Sequence, residues 1–185
     1  MHPQGNGCKV CLHLRLAPLT IEVIVNEETC EGSVEMRLFI DGDGSPVKNE
    51  VIELAQQYQL PVVIVTSVDH YTTKDYPAHV HFVYVDKGSD RADYEIVKEI
   101  EPGDFLVTQD YGLASLVLPK KARVFHHNGT EYLPETIDFL LGQRYLGAQM
   151  RKAGKRTKGP KPFTKEDREA FKRIFENELR QTLAK

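Results

Sequence analysis

The chain has 185 residues, 41% hydrophobic and 28% charged, with a formal net charge of −3, values that suit one soluble domain with a sizeable core. No apolar run reaches the roughly 20 residues that span a bilayer, and no charged head with an apolar core resembles a secretion signal, so a cytoplasmic protein without a membrane partner is expected. All three cysteines, Cys8, Cys11 and Cys30, precede Met36, so the body of the fold cannot depend on disulfides.

Met1 to Glu35 stands apart. Cys8-Lys-Val-Cys11 with His13 and Cys30 is half of a zinc site that lacks a second cysteine pair, and Val10 to Leu16 and Thr20 to Val25 carry some strand propensity. Met36 immediately precedes the first convincing strand, and the Glu31-Gly32 codons can read GAGGG, a purine-rich sequence a short distance upstream. The expectation is that residues 1–35 are an N-terminal extension and that the native chain starts at Met36. The mass of protein expressed from its native locus tests this.

From Met36 the pattern alternates. Leu38-Phe-Ile40 reads as a buried parallel strand running into Asp41 and Asp43, and Pro46 to Tyr58 carries a helical stripe at Val47, Val51, Ile52, Leu54 and Ala55. Pro61 to Val65 is a β-branched strand, Val68 to Ala78 a loop, and Val80 to Val85 another strand. Asp90 to Ile100 is helical up to the Pro102-Gly103 break, Phe105 to Thr108 is a strand, Asp110 to Leu118 a short helix, and Ala122 to Phe125 the last core strand. His126 to Thr130 is a turn, with Asn128-Gly129 a hairpin signal. Pro134 to Lys152 and Thr164 to Leu183 are helices joined by a Lys/Gly/Pro-rich linker. Strands alternating with helices predict an α/β fold, a three-layer α/β/α sandwich around a mainly parallel sheet.

Asp41 and Asp43 fall at a strand's carboxyl end, where open α/β sheets place their ligands. Two like charges a residue apart repel unless a cation lies between them, and hard ions such as Mg2+ take oxygen ligands. The competing structural reading makes Asp41 a turn residue and Asp43 or Ser45 a helix cap. Asp90 and Asp93 share a face of the next helix, and Asp110 opens the one after. With Asp at three successive strand-to-helix junctions, Asp41, Asp43, Asp90, Asp93 and Asp110 are expected to converge as catalytic and metal-binding residues, although Asp90 and Asp110 also suit plain N-caps. Converging acids suit hydrolysis of phosphate esters with Mg2+ or Mn2+.

Lys48, one turn into the first helix, is a candidate phosphate contact. Arg151, Lys152, Lys155, Arg156, Lys158 and Lys161 form a run without an acid, suited to a nucleic-acid backbone through salt-sensitive contacts, or else to a solvated linker. His79 and His81 share a strand face but lack a third zinc ligand, and His126-His127 reads as a solvated turn. Tyr71, Tyr76 and Tyr84 suit packing more than base stacking.

Four segments, Asp41-Gly-Asp-Gly-Ser-Pro-Val-Lys48, Gly88-Ser-Asp-Arg-Ala-Asp93, Val107-Thr-Gln-Asp-Tyr-Gly-Leu-Ala114 and Gly159-Pro-Lys-Pro-Phe163, resemble the bacterial YaiI/YqxD family over essentially Met36 to Leu183. That family is largely uncharacterised and is grouped by fold with the PIN-like domains, whose last acid commonly sits in a Thr-x-Asp after a strand, as in Thr108-Gln-Asp110. The resemblance implies a PIN-like fold with a nuclease-like acidic pocket but no known substrate; a divalent-metal-dependent nuclease of RNA or DNA is expected, with RNA the favoured partner. Gly44 departs from the family's usual Ala or Cys without touching the acids. Phe39-Ile-Asp-Gly-Asp-Gly-Ser45 also resembles the first motif of haloacid-dehalogenase-type phosphatases, with Val65-Thr-Ser67 as a second motif, which implies Asp41 as a covalent nucleophile; a convincing lysine motif is lacking. A nucleic-acid-binding module that does not cut is the third reading.

Overall fold

A computed structural model describes residues 36–88, 90–152 and 162–184. The expected extension over residues 1–35, with its cysteines, lies outside the described residues, as do Lys155, Arg156, Lys158 and Lys161 and the side chain of Arg151. The alternation read from the pattern is present. β1 (Leu38–Asp41) leads to α1 (Lys48–Tyr58), β2 (Val62–Ser67) and β3 (Val80–Val85), then α2 (Arg91–Glu99), β4 (Phe105–Val107), α3 (Tyr111–Val117), β5 (Arg123–Phe125) and β6 (Glu131–Tyr132). Two long helices follow, α4 (Pro134–Lys152) and α5 (Lys165–Leu183). Short 3-10 turns occupy Val68–His70 and Leu118–Lys120.

β6 departs from the expected pattern, in which β5 was the last strand. The hairpin signal at Asn128-Gly129 brings it back antiparallel, with Val124 opposite Tyr132, and Gly129 takes φ +88°, which only glycine adopts without strain.

The sheet order is β3-β2-β1-β4-β5-β6, parallel through β5. Side chains alternate across a strand, so β1 divides the core between the two faces of the sheet. Leu38 and Ile40 join Val51, Leu54, Phe171, Phe175 and Leu179 of α1 and α5, whereas Phe39 joins Ala92, Ile96, Leu113, Val117 and Ile137 of α2, α3 and α4. A three-layer α/β/α sandwich results, compatible with the PIN-like arrangement. β1 pairs with β2 on one side and β4 on the other, so the chain reverses its direction of winding between β1 and β4. Open α/β sheets form a crevice at the carboxyl ends of the strands where this happens.

Candidate functional site

Asp41 and Thr108 stand at that reversal. Ile40 is in register with Val107, so the next residues on each strand lie side by side and point toward the α2–α4 face. Thr108 Oγ1 donates to Asp41 Oδ2 at 2.8 Å and accepts from the Asp110 backbone N–H at 3.0 Å. Burial holds the Asp41 carboxyl above its ordinary range, and the charges of Asp43 and Asp110 add to this, opposed by the Thr108 hydroxyl and a backbone hydrogen bond from Asp43.

The chain turns sharply after Asp41 because Gly42 lies against β2. Its N–H donates to the Val65 carbonyl at 2.8 Å, and a Cβ at this position would come within 2.8 Å of the Thr66 Cβ and 2.9 Å of the Val65 oxygen. Asp43 then folds back, its Oδ1 accepting from the Thr66 hydroxyl at 2.6 Å and the Ser67 N–H at 2.9 Å. The capping alternative for Asp43 and Ser45 therefore fails: the N-cap position of α1 is Val47, with no side-chain bond. Lys48 Nζ donates to the Gly42 carbonyl at 3.4 Å.

Asp90 adopts the left-handed region at φ 65° and makes no capping bond to α2, so the plain N-cap reading fails there too. Asp93 lies in the first turn of α2. Its pKa is pushed up to about 6, first by burial and then by the charges of Asp41, Asp110, Asp90 and Asp43, so the other four predicted aspartates all act on this one group. Asp110 does cap its helix, accepting the Gly112 N–H at 2.6 Å, and it also accepts from Arg144 of α4 at 2.7 Å. Burial would raise Asp110, but the Arg144 guanidinium and the backbone donors win and hold it below the usual carboxylate range.

An open groove of about 650 Å3 is lined by Asp90, Asp93, Asp110 and Arg144 together with Tyr94, Val97 and Leu116. Beneath Asp41 a smaller hollow is lined by Ser45, Thr108, Gln109 and His127. His127 corrects the expectation of a solvated turn: it is half-buried, its ring stands edge-on to Phe163 at 5.0 Å, and burial lowers its pKa. Ser45 Oγ and His127 Nδ1 are buried here without a protein partner among the described residues, a situation usually met by water.

Thr66, Thr108, Arg144 and His127 were not singled out from sequence as site residues. Only Thr108 had a signal, its place in Thr108-Gln-Asp110; Arg144 is 34 residues from its partner and sits in a long helix where an arginine is unremarkable. Lys152 is exposed at the end of α4.

Asp104, at the opposite edge of the sheet, shows what a structural aspartate looks like in this protein. It is fully buried and accepts from the Arg37 backbone and guanidinium at 2.9 and 2.7 Å and from the Glu101 N–H at 2.9 Å. Among the described residues no three His, Cys, Asp or Glu side chains are gathered closely enough to hold an ion by themselves. The donors present are nevertheless carboxylate oxygens, the type that Mg2+ and Mn2+ prefer, and Mg2+ is commonly held through one or two carboxylates with water completing the shell. Among the described residues no helix is long and apolar enough to cross a membrane.

A family model described as "Uncharacterized BCR, YaiI/YqxD family" matches residues 39–181. A UPF0178 protein of Enterococcus faecalis is 60% identical over 148 residues, 80% of this chain and 100% of the relative. A UPF0178 protein of Bacillus thuringiensis is 50% identical over 142 residues, 77% of this chain and 97% of the relative, and one from Bacillus anthracis is 49% identical over the same shares. No solved structure matches the chain.

Proposed function

The chain belongs to the YaiI/YqxD family, and on that footing we propose that it is a divalent-metal-dependent nuclease of PIN-like type, hydrolysing phosphodiester bonds with RNA as the favoured substrate. The observation that carries this is geometric: at the switch point of the parallel sheet Thr108 holds the Asp41 carboxylate and the backbone of Asp110 together, and the charges of Asp41, Asp43, Asp90 and Asp110 all bear on Asp93 and push its pKa up to about 6. Repulsion of this kind is relieved when a cation enters.

Asp41 and Asp93 are the first choice of ligands, with Asp43, Asp90 and Asp110 nearby to hold coordinated water. A bound Mg2+ or Mn2+ supplies a lowered pKa for the attacking water and positive charge for the scissile phosphate. The protein's own contribution is orientation. Thr108 holds one oxygen of Asp41, Thr66 holds one oxygen of Asp43, and Arg144, half-exposed at the rim, is placed to take a phosphate oxygen. Asp110 is kept ionised by Arg144 and backbone donors, so it accepts a proton from water near neutral pH only weakly; the raised pKa of Asp93 belongs to the metal-free protein and falls when a cation binds there.

The test is incubation with a structured RNA pool and Mn2+, and separately with a small phosphomonoester. RNA cleavage lost in Asp41→Asn is the expected result. Turnover of the phosphomonoester alone, with phosphate trapped on Asp41, would establish the dehalogenase-type reading in its place. Binding of RNA without cleavage would establish the non-catalytic module.

A further inference from the structure

We propose that the groove beside the aspartates is a base-binding subsite, in which one unpaired nucleobase stacks on Tyr94 while its phosphate lies at Arg144 and the carboxylates. The proposal rests on the reading of those acids as a metal-dependent site for phosphodiesters, and it names the residue that grips the base.

The Tyr94 side chain is left over by packing. Tyr58 donates to Glu176, and the Tyr145 hydroxyl accepts from Gln149. Tyr71 packs on Tyr84, Tyr76 on Phe82 and Tyr111 on Tyr132. Tyr94, by contrast, is 70% exposed and takes part in none of the ring contacts among the described residues.

Its neighbours make a groove rather than an isolated bump. Asp90, Tyr94 and Val97 are spaced four and three residues apart, on one stripe of α2, and all three line the space of about 650 Å3. From α3 come Gly112, Ser115 and Leu116, the last of them 58% exposed. Helical position orders these groups. Asp90 and Asp110 are the N-cap residues of α2 and α3, and Arg144 pairs with Asp110, so the charges stand at one end. Tyr94 follows one helical turn, about 5.4 Å, further along α2.

Chemistry selects the occupant. Asp90 and Asp93 by themselves repel an anion, but a divalent ion held there reverses this. The Arg144 guanidinium, 53% exposed and in the same groove, adds a fixed cation for a phosphate oxygen. An exposed aromatic ring one turn away takes a base by stacking, whichever base it is, because each has a π-face. An anionic group joined to a flat apolar one is the outline of a nucleotide. In a duplex the base faces are covered by their neighbours, so only an unpaired base can use the ring.

The chain contains no tryptophan, so Tyr94→Trp places a single indole in the groove and keeps the aromatic face. In Mg2+, read at the moment of mixing, a single-stranded oligoadenylate should quench its emission, and a duplex of the same length should not. Tyr94→Ala should weaken binding of a labelled oligoadenylate, followed by fluorescence anisotropy, about 5- to 150-fold, the loss of one stacked base. Tyr94→Phe should bind as the wild type does. The rise in melting temperature with Mg2+ should be the same in all three variants, because the ring holds the base and not the ion. Wild-type affinity in Tyr94→Ala overturns the proposal, and so does equal quenching by the duplex. Self-association that Tyr94→Ala abolishes gives the groove to a second copy and overturns it as well. Quenching without cleavage leaves the subsite standing and removes the nuclease reading, whereas RNA cleavage with unchanged affinity in Tyr94→Ala does the reverse. A wild type that binds no oligoadenylate overturns the subsite too.

Discussion

Thr108 Oγ1 lies 2.8 Å from Asp41 Oδ2, joining the last residue of β1 to the first residue past β4, 67 positions later. The same hydroxyl accepts the Asp110 N–H at 3.0 Å, so one small side chain sets the orientation of one acid and the backbone of another. Supports of this kind decide how well a cluster of carboxylates can bind a ligand.

Thr108→Val keeps the shape and removes both bonds. It should cost about 1–3 kcal/mol of stability, because a buried N–H and a half-buried carboxylate lose a partner. Mn2+ affinity should fall at least about 10-fold. Titration followed by thermal melting measures both, and an unchanged Mn2+ response would show that Asp41 does not need this support.

Divalent binding should raise the melting temperature by linkage. At about 100 times the dissociation constant the gain is about 2.7 kcal/mol, or about 5–10 °C for a chain of this size. Asp41→Asn should abolish the rise. A wild-type melting curve unmoved by millimolar Mn2+ would remove the metal site.

The pKa of Asp93 gives a pH dependence with a definite sign. Its folded value of about 6 exceeds the ordinary 3.8, so the folded state binds more protons between those values. Without metal, this contribution is fully present below about pH 3.8 and is lost as the pH rises through about 6. Asp93→Asn should therefore be more stable than the wild type at pH 7 by about 1 kcal/mol, allowing for solvent screening of a partly exposed group. Melting at pH 4.5 and 7 with a chelator checks it. Equal differences between the two proteins at both pH values would mean that Asp93 is not under this strain.

Lys155, Arg156 and Lys158, replaced together by Ala, should weaken single-stranded RNA binding across all sequences alike. Each lost phosphate contact should remove about 0.7 from the slope of log affinity against log salt. Mn2+ binding should be retained. An unchanged slope would return this segment to the status of a solvated linker.

The sequence by itself determined the elements and the positions of the acids. β-branched and apolar runs such as Val62 to Val65, and the helical stripe of Val51, Leu54 and Ala55, are local signals that packing here reinforces. Asp41, Asp43, Asp93 and Asp110 follow strand ends or open helices, so a parallel sheet carries them to one edge from any sequence separation. β6 was missed because two residues carry too little pattern to read, although the turn that makes it was legible. What only the tertiary structure decided is which partner each acid finds. Asp43 turns from α1 toward Thr66, Asp90 leaves its helix uncapped in a left-handed turn, and Arg144, a residue to which the sequence assigned no role, reaches Asp110 from α4. These choices rest on strand order, on which face each side chain takes and on the crossing of α4 over α3, all of them long-range properties of the packed chain. Periodicity and capping preference act within a few residues and carry none of that information.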